Sequence, residues 1–253
     1  MKAGTQERQQ RLPAFLPSLF KLAVVALVAL TAHPLPAAET NAALTTALRE
    51  LTTPSKKLPF KDIIQATTGH RLIPFDTNNP AHAALRVKIL QAAVRASERV
   101  RAAGLDAARA NEAGNQLEPF VRAAMRDSGL DAHVPKTSAG RTQAVGYPDL
   151  EIDGAVPAYV ELKTYNATTR DTTQRSFYYS PSATPKVTRD ALHLLLAFEL
   201  EKQERDGKTV FVPNHWKLLT LEDLDVDLKF EFNQSNRGLY GPARATLDEA
   251  PVK

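Results

Sequence analysis

Residues 158–165 read AYVELKTY, and residues 143–152, shortly before them, read QAVGYPDLEI. Aromatic and apolar residues alternate with polar ones in both segments, which is typical of β-strands. Asp153 and Gly154 follow the earlier segment and favour a tight turn. The two segments therefore predict a pair of neighbouring strands that are joined by a short connection.

Strand geometry places an acid and a base together in this pair. Side chains alternate across a strand, so Glu161 and Lys163 share one face while Leu162 faces the other way. Pairing of the strands brings Asp149 beside Glu161. Two convergent carboxylates suit Mg²⁺, which binds through one or two carboxylates together with water and phosphate oxygens. A neighbouring ammonium group completes the set of groups that phosphodiester hydrolysis needs.

Pro148-Asp149 followed by Glu161-Leu162-Lys163 resembles the motif of the PD-(D/E)xK nuclease superfamily, which includes many type II restriction endonucleases. The resemblance implies a Mg²⁺-dependent endodeoxyribonuclease, with Mn²⁺ as a substitute ion and DNA as substrate. It assigns the metal to Asp149, Glu161 and the backbone oxygen of Leu162, and it makes Lys163 catalytic. Relatives of this type often act as homodimers.

Many members of the superfamily add a glutamate from a helix before the first core strand. Glu112 and Glu118 are the two candidates in residues 111–118, NEAGNQLE. We prefer Glu118 because it lies nearer the strand, and we count it among the catalytic residues. The choice between the two glutamates stays open at the level of sequence.

The order of elements predicts an α/β fold with a mixed central β-sheet flanked by helices, a restriction-endonuclease-like core with an N-terminal helical segment. We place a signal peptide at 1–38, the helical segment at 39–105 and the nuclease core at 106–253. Helices are predicted over 39–51, 62–67, 81–103 and 106–126 and an amphipathic helix over 188–204, with further strands over 176–180, 208–212 and 216–220.

The N-terminus has the layout of a secretory signal peptide. Four basic residues (Lys2, Arg8, Arg11, Lys21) precede or border the apolar run Leu22–Leu30, and a small-residue segment, HPLPAA, follows over residues 33–38. The run is shorter than the roughly 20 residues that span a bilayer. We therefore predict a periplasmic or secreted protein without stable membrane insertion. The alternatives are a buried or amphipathic N-terminal helix, and a cytoplasmic protein whose start codon is misassigned.

Composition narrows the chemistry and says little about binding. The chain has no cysteine, which excludes disulfides, zinc–thiolate sites and cysteine nucleophiles. After removal of residues 1–38, 28 basic residues remain against 27 acidic ones, so the basic pI does not by itself indicate a nucleic-acid-binding protein. Arg170, Arg175 and Ser176 are our candidates for contact with DNA, although such a loop is often simply solvated.

The sequence favours structural roles for two tyrosines and one histidine that could otherwise be functional. Tyr178 and Tyr179 could stack on bases, but aromatics in a strand more often belong to the core. His193 is more typical of a packed or surface histidine than of a catalytic base. A rival hypothesis for the whole chain is a catalytically inactive nuclease fold that binds nucleic acid or a protein partner.

Overall fold

The computed structural model describes residues 37–107, 110–172, 177–231 and 233–241. The chain divides into two compact units, residues 1–53 and 54–253. In the described part of the first unit, helix α1 spans Ala37–Thr52, close to the predicted helix over 39–51. The predicted signal peptide lies outside the described residues, except for the two residues that begin α1. Among the described helices, none has the length and apolar character needed to cross a bilayer.

The second unit is built on a mixed sheet, which confirms the predicted α/β fold. Its strands lie in the order β2-β6-β5-β4-β3. Strand β7 pairs with the same edge of β6 as β2 does, farther along that strand. Strands β5 and β6 run parallel, as do β2 and β6, and the other neighbours are antiparallel. The bounds are β2 Leu72–Ile73, β3 Asp131–His133, β4 Leu150–Asp153, β5 Ala158–Tyr165, β6 Ala191–Arg205 and β7 Lys208–Thr220.

Strands β4 and β5 form the predicted antiparallel pair, with Leu150 opposite Val160. The earlier strand is shorter than the sequence predicts, because residues 143–149 are not part of it. Gly146 has a φ of 92°, outside the range of a strand, and Pro148 has no N–H to donate to a ladder. Asp149 therefore lies in the turn that enters β4.

Residues 188–204 do not form the predicted amphipathic helix. From Ala191 onward they form β6, the longest strand of the sheet. The leucines at 192, 195, 196 and 200 match helical spacing, but the segment from 191 to 200 is buried almost throughout, because its side chains enter a core cluster on each face of the sheet. A strand that is covered on both faces is apolar at every position, and its pattern cannot be distinguished from that of a buried helix.

The predicted strand over 176–180 is also wrong in its described part. Residues 177–180 have no regular secondary structure, and Ser176 lies outside the described residues. Phe177 and Tyr179 each meet the ring of Phe60 edge-on, at centroid distances of 5.1 and 5.6 Å, whereas Tyr178 is exposed. Phe177 and Tyr179 thus pack against the core although they do not belong to a strand. The two strands predicted after residue 207 are confirmed as one continuous strand, β7.

Helices pack on both faces of the sheet, because Phe60 and Ile64 share a core cluster with Tyr159, on the face opposite Val160. The predicted helices are confirmed as α2 (Phe60–Thr68), α3 (Pro80–Ala103) and α4 (Ala110–Asp127). Asn79 is the N-cap residue of α3, and its Oδ1 accepts hydrogen bonds from the N–H groups of Ala81 and His82. Buried side chains of α3 and α4 share one core with those of β4, β5 and β6. The remaining short elements are β1 (Leu58–Pro59), β8 (Asp225–Val226) and α5 (Asn236–Tyr240).

Candidate active site

Strand β5 divides its side chains between two faces, as the sequence predicts. Ala158, Val160 and Leu162 belong to the core beneath α3 and α4. Glu161 lies on the opposite face with only 4% of its surface exposed. Lys163 shares that face, and its Nζ donates to Oε1 of Glu161 at 2.5 Å. The strand thus presents an acid and a base side by side.

Asp149 enters the same place from the turn before β4. Its Oδ2 accepts the backbone N–H of Leu162 at 2.7 Å, so the carboxylate is fixed on the strand between Glu161 and Lys163. Asp149 raises the pKa of Glu161, and Lys163 lowers that of Asp149. The three predicted residues are therefore close enough for their charges to interact, as pairing of the two strands predicts.

Burial makes both carboxylates difficult to ionise. It is the largest cause that raises the pKa of Glu161 to about 7, followed by repulsion from Asp149 and opposed by Lys163. Burial likewise raises the pKa of Asp149, against the bond from the Leu162 N–H. Oε2 of Glu161 is buried and has no hydrogen-bond partner among the described residues. A buried carboxylate oxygen without a partner is costly, and a cation would satisfy it.

Helix α4 brings Glu118, rather than Glu112, toward the site. Glu118 is partly buried and accepts from Arg122 at 2.9 Å. Burial raises the pKa of Glu118, and Asp149 raises it further, so the two carboxylates interact electrostatically. Glu112 is exposed. The helix approaches β5 closely at Gly114, where a Cβ atom would lie 3.0 Å from Oγ1 of Thr164.

The carboxylate oxygens of these residues are suitable ligands for a hard divalent ion, although the side chains do not form a complete coordination shell by themselves. Within the described residues, no group of three or more histidine, aspartate or glutamate side chains is arranged to hold a metal. Each carboxylate instead accepts a hydrogen bond within the protein. The donors are the backbone N–H of Leu162 for Asp149, Lys163 for Glu161 and Arg122 for Glu118. A Mg²⁺ site needs only one or two carboxylates, because water and phosphate oxygens supply the other ligands. Asp149 and Glu161 meet that requirement.

Comparison with known proteins gives the family. The family model described as "Type II restriction enzyme MjaV family" matches residues 53–243. The chain belongs to this family. It is 33% identical over 211 residues to the type II restriction enzyme MjaV of Methanocaldococcus jannaschii, and the match covers 76% of this chain and 89% of the relative. No solved structure matches the chain significantly. The match confirms the predicted restriction-endonuclease-like nuclease.

Of the three predicted DNA-binding residues of this MjaV-family chain, the structure describes Arg170, which follows β5. Arg170 is half-exposed, 3.9 Å from Glu199 Oε2, and lines a cavity of about 590 Å³ together with Lys163. Arg175 and Ser176 lie outside the described residues. The structure thus places Arg170 and Lys163 on the wall of the same cavity.

Sequence reasoning missed Lys186, the second lysine of the site. It is buried, and Nζ donates to the carbonyl oxygens of Gly146 and Pro148 at 2.7 and 3.1 Å. In the sequence it is one of several basic residues in a long loop, and nothing in the local pattern marks it. Its role depends on where the loop folds, which no short-range spacing encodes.

His193 is packed, one of the two roles that the sequence favours. Only 1% of it is exposed, and its Nδ1 lies 2.7 Å from the hydroxyl oxygen of Tyr147. Burial lowers the pKa of His193 to about 3, so the ring is neutral near pH 7. The side chain belongs to the interior behind the reaction centre.

Proposed function

We propose that this MjaV-family chain is a Mg²⁺-dependent endodeoxyribonuclease, with Asp149, Glu161 and Lys163 as its reaction centre. One observation carries the proposal: the buried carboxylate of Glu161, the partly buried carboxylate of Asp149 and the ammonium group of Lys163 meet at β5, and the strand itself holds Asp149 by a hydrogen bond. The similar protein from M. jannaschii is called a type II restriction enzyme. We therefore take double-stranded DNA as the substrate and internal phosphodiester bonds as the bonds cut.

The carboxylates of Asp149 and Glu161 would hold the ion, with the backbone oxygen of Leu162 as a third protein ligand. Mn²⁺ has similar ligand preferences and should substitute. When bound, the ion supplies a more acidic water and offsets negative charge on the phosphate. Glu118 adds negative charge beside Asp149, which favours cation binding in the same place.

Lys163 has two tasks that the geometry supports. In the protein alone, its ammonium group offsets the charge of Glu161 at 2.5 Å. An ammonium group carries three N–H donors, so it can also donate to a phosphate oxygen or to the attacking water. Developing negative charge on the phosphate then meets a fixed positive charge in a partly buried place, where electrostatic stabilisation is strongest.

The loop after β5 is proposed to hold the DNA. Arg170 flanks the cavity that opens beside Lys163, and a guanidinium group suits phosphate oxygens. We assign Arg175 and Ser176 to the same task because they follow Arg170 closely in the sequence. Homodimer formation and export remain predictions, which sedimentation analysis and N-terminal sequencing of the mature protein can test.

Cleavage of supercoiled plasmid tests the proposal. Purified protein with Mg²⁺ should give discrete fragments, and EDTA should stop the reaction. Asp149→Ala and Lys163→Ala should each lower the rate by at least about 100-fold. Matched controls are Asp131→Ala, at the exposed first residue of β3, and Lys202→Ala, on the exposed part of β6, which should cut at the wild-type rate.

Three outcomes would contradict the assignment. DNA cleavage by the wild-type protein in EDTA would show that the reaction needs no metal. Full activity in either site variant would show that the substituted residue is not catalytic. Wild-type protein that binds DNA in Mg²⁺ without cutting it would instead support the rival function, a binding module with a nuclease fold.

A further inference from the structure

Lys186 joins two carbonyl groups at the turn that carries Asp149. The carbonyl of Gly146 lies before Tyr147, and the carbonyl of Pro148 belongs to the peptide bond that enters Asp149. Nζ of Lys186 donates to both, at 2.7 and 3.1 Å. Any shift of this turn moves the Asp149 carboxylate relative to β5, so the two hydrogen bonds act directly on the geometry of the reaction centre.

The other end of the Lys186 side chain is anchored as well. The carbonyl oxygen of Pro185 accepts the N–H of Ser138 at 2.8 Å. Val187 is buried with 1% of its surface exposed, and the N–H of Thr188 donates to the hydroxyl oxygen of Tyr159 at 2.9 Å. The backbone on both sides of Lys186 is thus fixed, and the side chain links two fixed segments.

A buried ammonium group requires compensation. Burial lowers the pKa of Lys186, whereas Asp149, Glu161 and Glu118 raise it. The ammonium group therefore interacts electrostatically with the three carboxylates of the candidate site, while its hydrogen bonds go to the two carbonyl oxygens. An apolar residue of similar length would fill the same space at lower cost.

We propose that Lys186 is a positioning residue, which ties the turn at residues 146–148 and so holds the Asp149 carboxylate against the Leu162 N–H. The inference rests on the proposed function, because it assigns Lys186 a part in the same reaction. Lys186 acts through Asp149 and contacts neither the phosphate nor the ion. Misplacement of a reacting group by about 1 Å can cost roughly 100-fold in rate.

Hydrogen exchange of single amides, followed by NMR without metal or DNA, tests the tie directly. The Leu162 N–H reports on Asp149, because Asp149 is its acceptor. The Leu192 N–H, which donates to Pro157 at 3.0 Å, reports on the stability of the sheet as a whole. In Lys186→Met we expect Leu162 to exchange at least about tenfold faster while Leu192 stays within about twofold of wild type.

Kinetics on plasmid DNA complete the test. Lys186→Met should lower kcat at least about tenfold and leave KM for DNA within about threefold, because substrate binding does not involve the turn. Lys186→Arg keeps the charge and N–H donors, so it should stay nearer to wild type in both kcat and Leu162 exchange. Lys186→Gln, which lacks the charge, replaces Lys186→Met if the latter does not fold. Lys88→Met is the matched control: Lys88 also donates to a carbonyl, that of Gly129 at 3.1 Å, but on the exposed side of α3.

The proposal stands if, across the Lys186 variants, faster Leu162 exchange and lower kcat occur together while Leu192 is unchanged. It is overturned if kcat falls with wild-type exchange at Leu162, since Lys186 would then act on the substrate, the ion or the charge alone. It is equally overturned if both amides accelerate alike or if no variant changes either quantity. Failure of the proposed function has a different signature, because wild-type protein would then not cut DNA while the exchange result still shows whether the tie exists.

Discussion

Oε1 of Glu161 accepts a hydrogen bond of 2.5 Å from Nζ of Lys163, two residues later on β5. Oε2 of the same carboxylate is buried without a partner among the described residues. One oxygen is thus satisfied by the protein, and the other is where the proposed cation would bind. Glu161 is an energetic cost to the metal-free protein that the function of the site explains.

Glu161→Gln should consequently separate stability from activity. We expect the melting temperature of the metal-free variant at pH 8 to equal or exceed that of wild type, because a buried charge that Asp149 repels has been removed. Mg²⁺ should raise the melting temperature of wild type and not that of the variant, and plasmid cleavage should be lost. Glu204→Gln, on the exposed end of β6, is the control and should keep both the Mg²⁺ effect and cleavage. A Mg²⁺-dependent rise in Glu161→Gln would show that the ion binds elsewhere.

The two glutamates of α4 offer a test within one helix. Glu118→Gln should lower the cleavage rate at least about tenfold, because Glu118 is the one that interacts with Asp149. Glu112→Gln should cut like wild type, since Glu112 is exposed on another side of the helix. Initial rates at several Mg²⁺ concentrations measure both. The reverse result, a slow Glu112→Gln and a normal Glu118→Gln, would contradict our assignment.

The meeting of Asp149, Glu161 and Lys163 is predictable from sequence because these residues are close together along the chain. A hairpin brings Asp149 and Glu161 together through local pairing, and strand alternation places Lys163 beside Glu161. Glu118 is a different case. Its approach depends on how closely α4 packs on β5, where Gly114 meets Thr164, and the sequence showed only that a glutamate was available.

The two main errors have one physical cause each. Residues 191–205 have helical spacing of leucines, yet they form a strand, because tertiary burial on both faces removes the polar positions that would reveal a period of two. Lys186 was overlooked because its partners, the carbonyls of Gly146 and Pro148, are about 40 residues away in sequence. Contacts between loops leave no local pattern.

The central position of β6 predicts a large stability difference between two leucines. Leu196 is fully buried and pairs with Leu162 on one side and Leu218 on the other. Leu196→Ala should lower the free energy of unfolding by about 2–5 kcal/mol. Leu219→Ala on β7 is the control, because Leu219 is 48% exposed, and its cost should stay below about 1 kcal/mol. Urea denaturation measures both, and similar losses would contradict the burial of β6.

His193 should make the protein sensitive to mild acid. Burial lowers its pKa from 6.5 to about 3, so between these values the unfolded chain binds a proton that the folded chain does not. The free energy of unfolding must then decrease as pH falls below about 6.5, by up to about 1.4 kcal/mol per pH unit.

Comparison of wild type with His193→Gln isolates this contribution from that of the acidic residues. Glutamine does not titrate, and its side-chain oxygen can still accept from the hydroxyl of Tyr147, the group that lies 2.7 Å from Nδ1 in the wild type. Between pH 7.5 and pH 5, wild type should lose about 2 kcal/mol more than the variant in urea denaturation. Equal losses in the two proteins would mean that His193 is protonated in the folded state at pH 5, and that the interior behind Glu161 is open to water. A larger loss in wild type would show instead that this interior stays dry, which is the condition under which the neighbouring carboxylates need a cation.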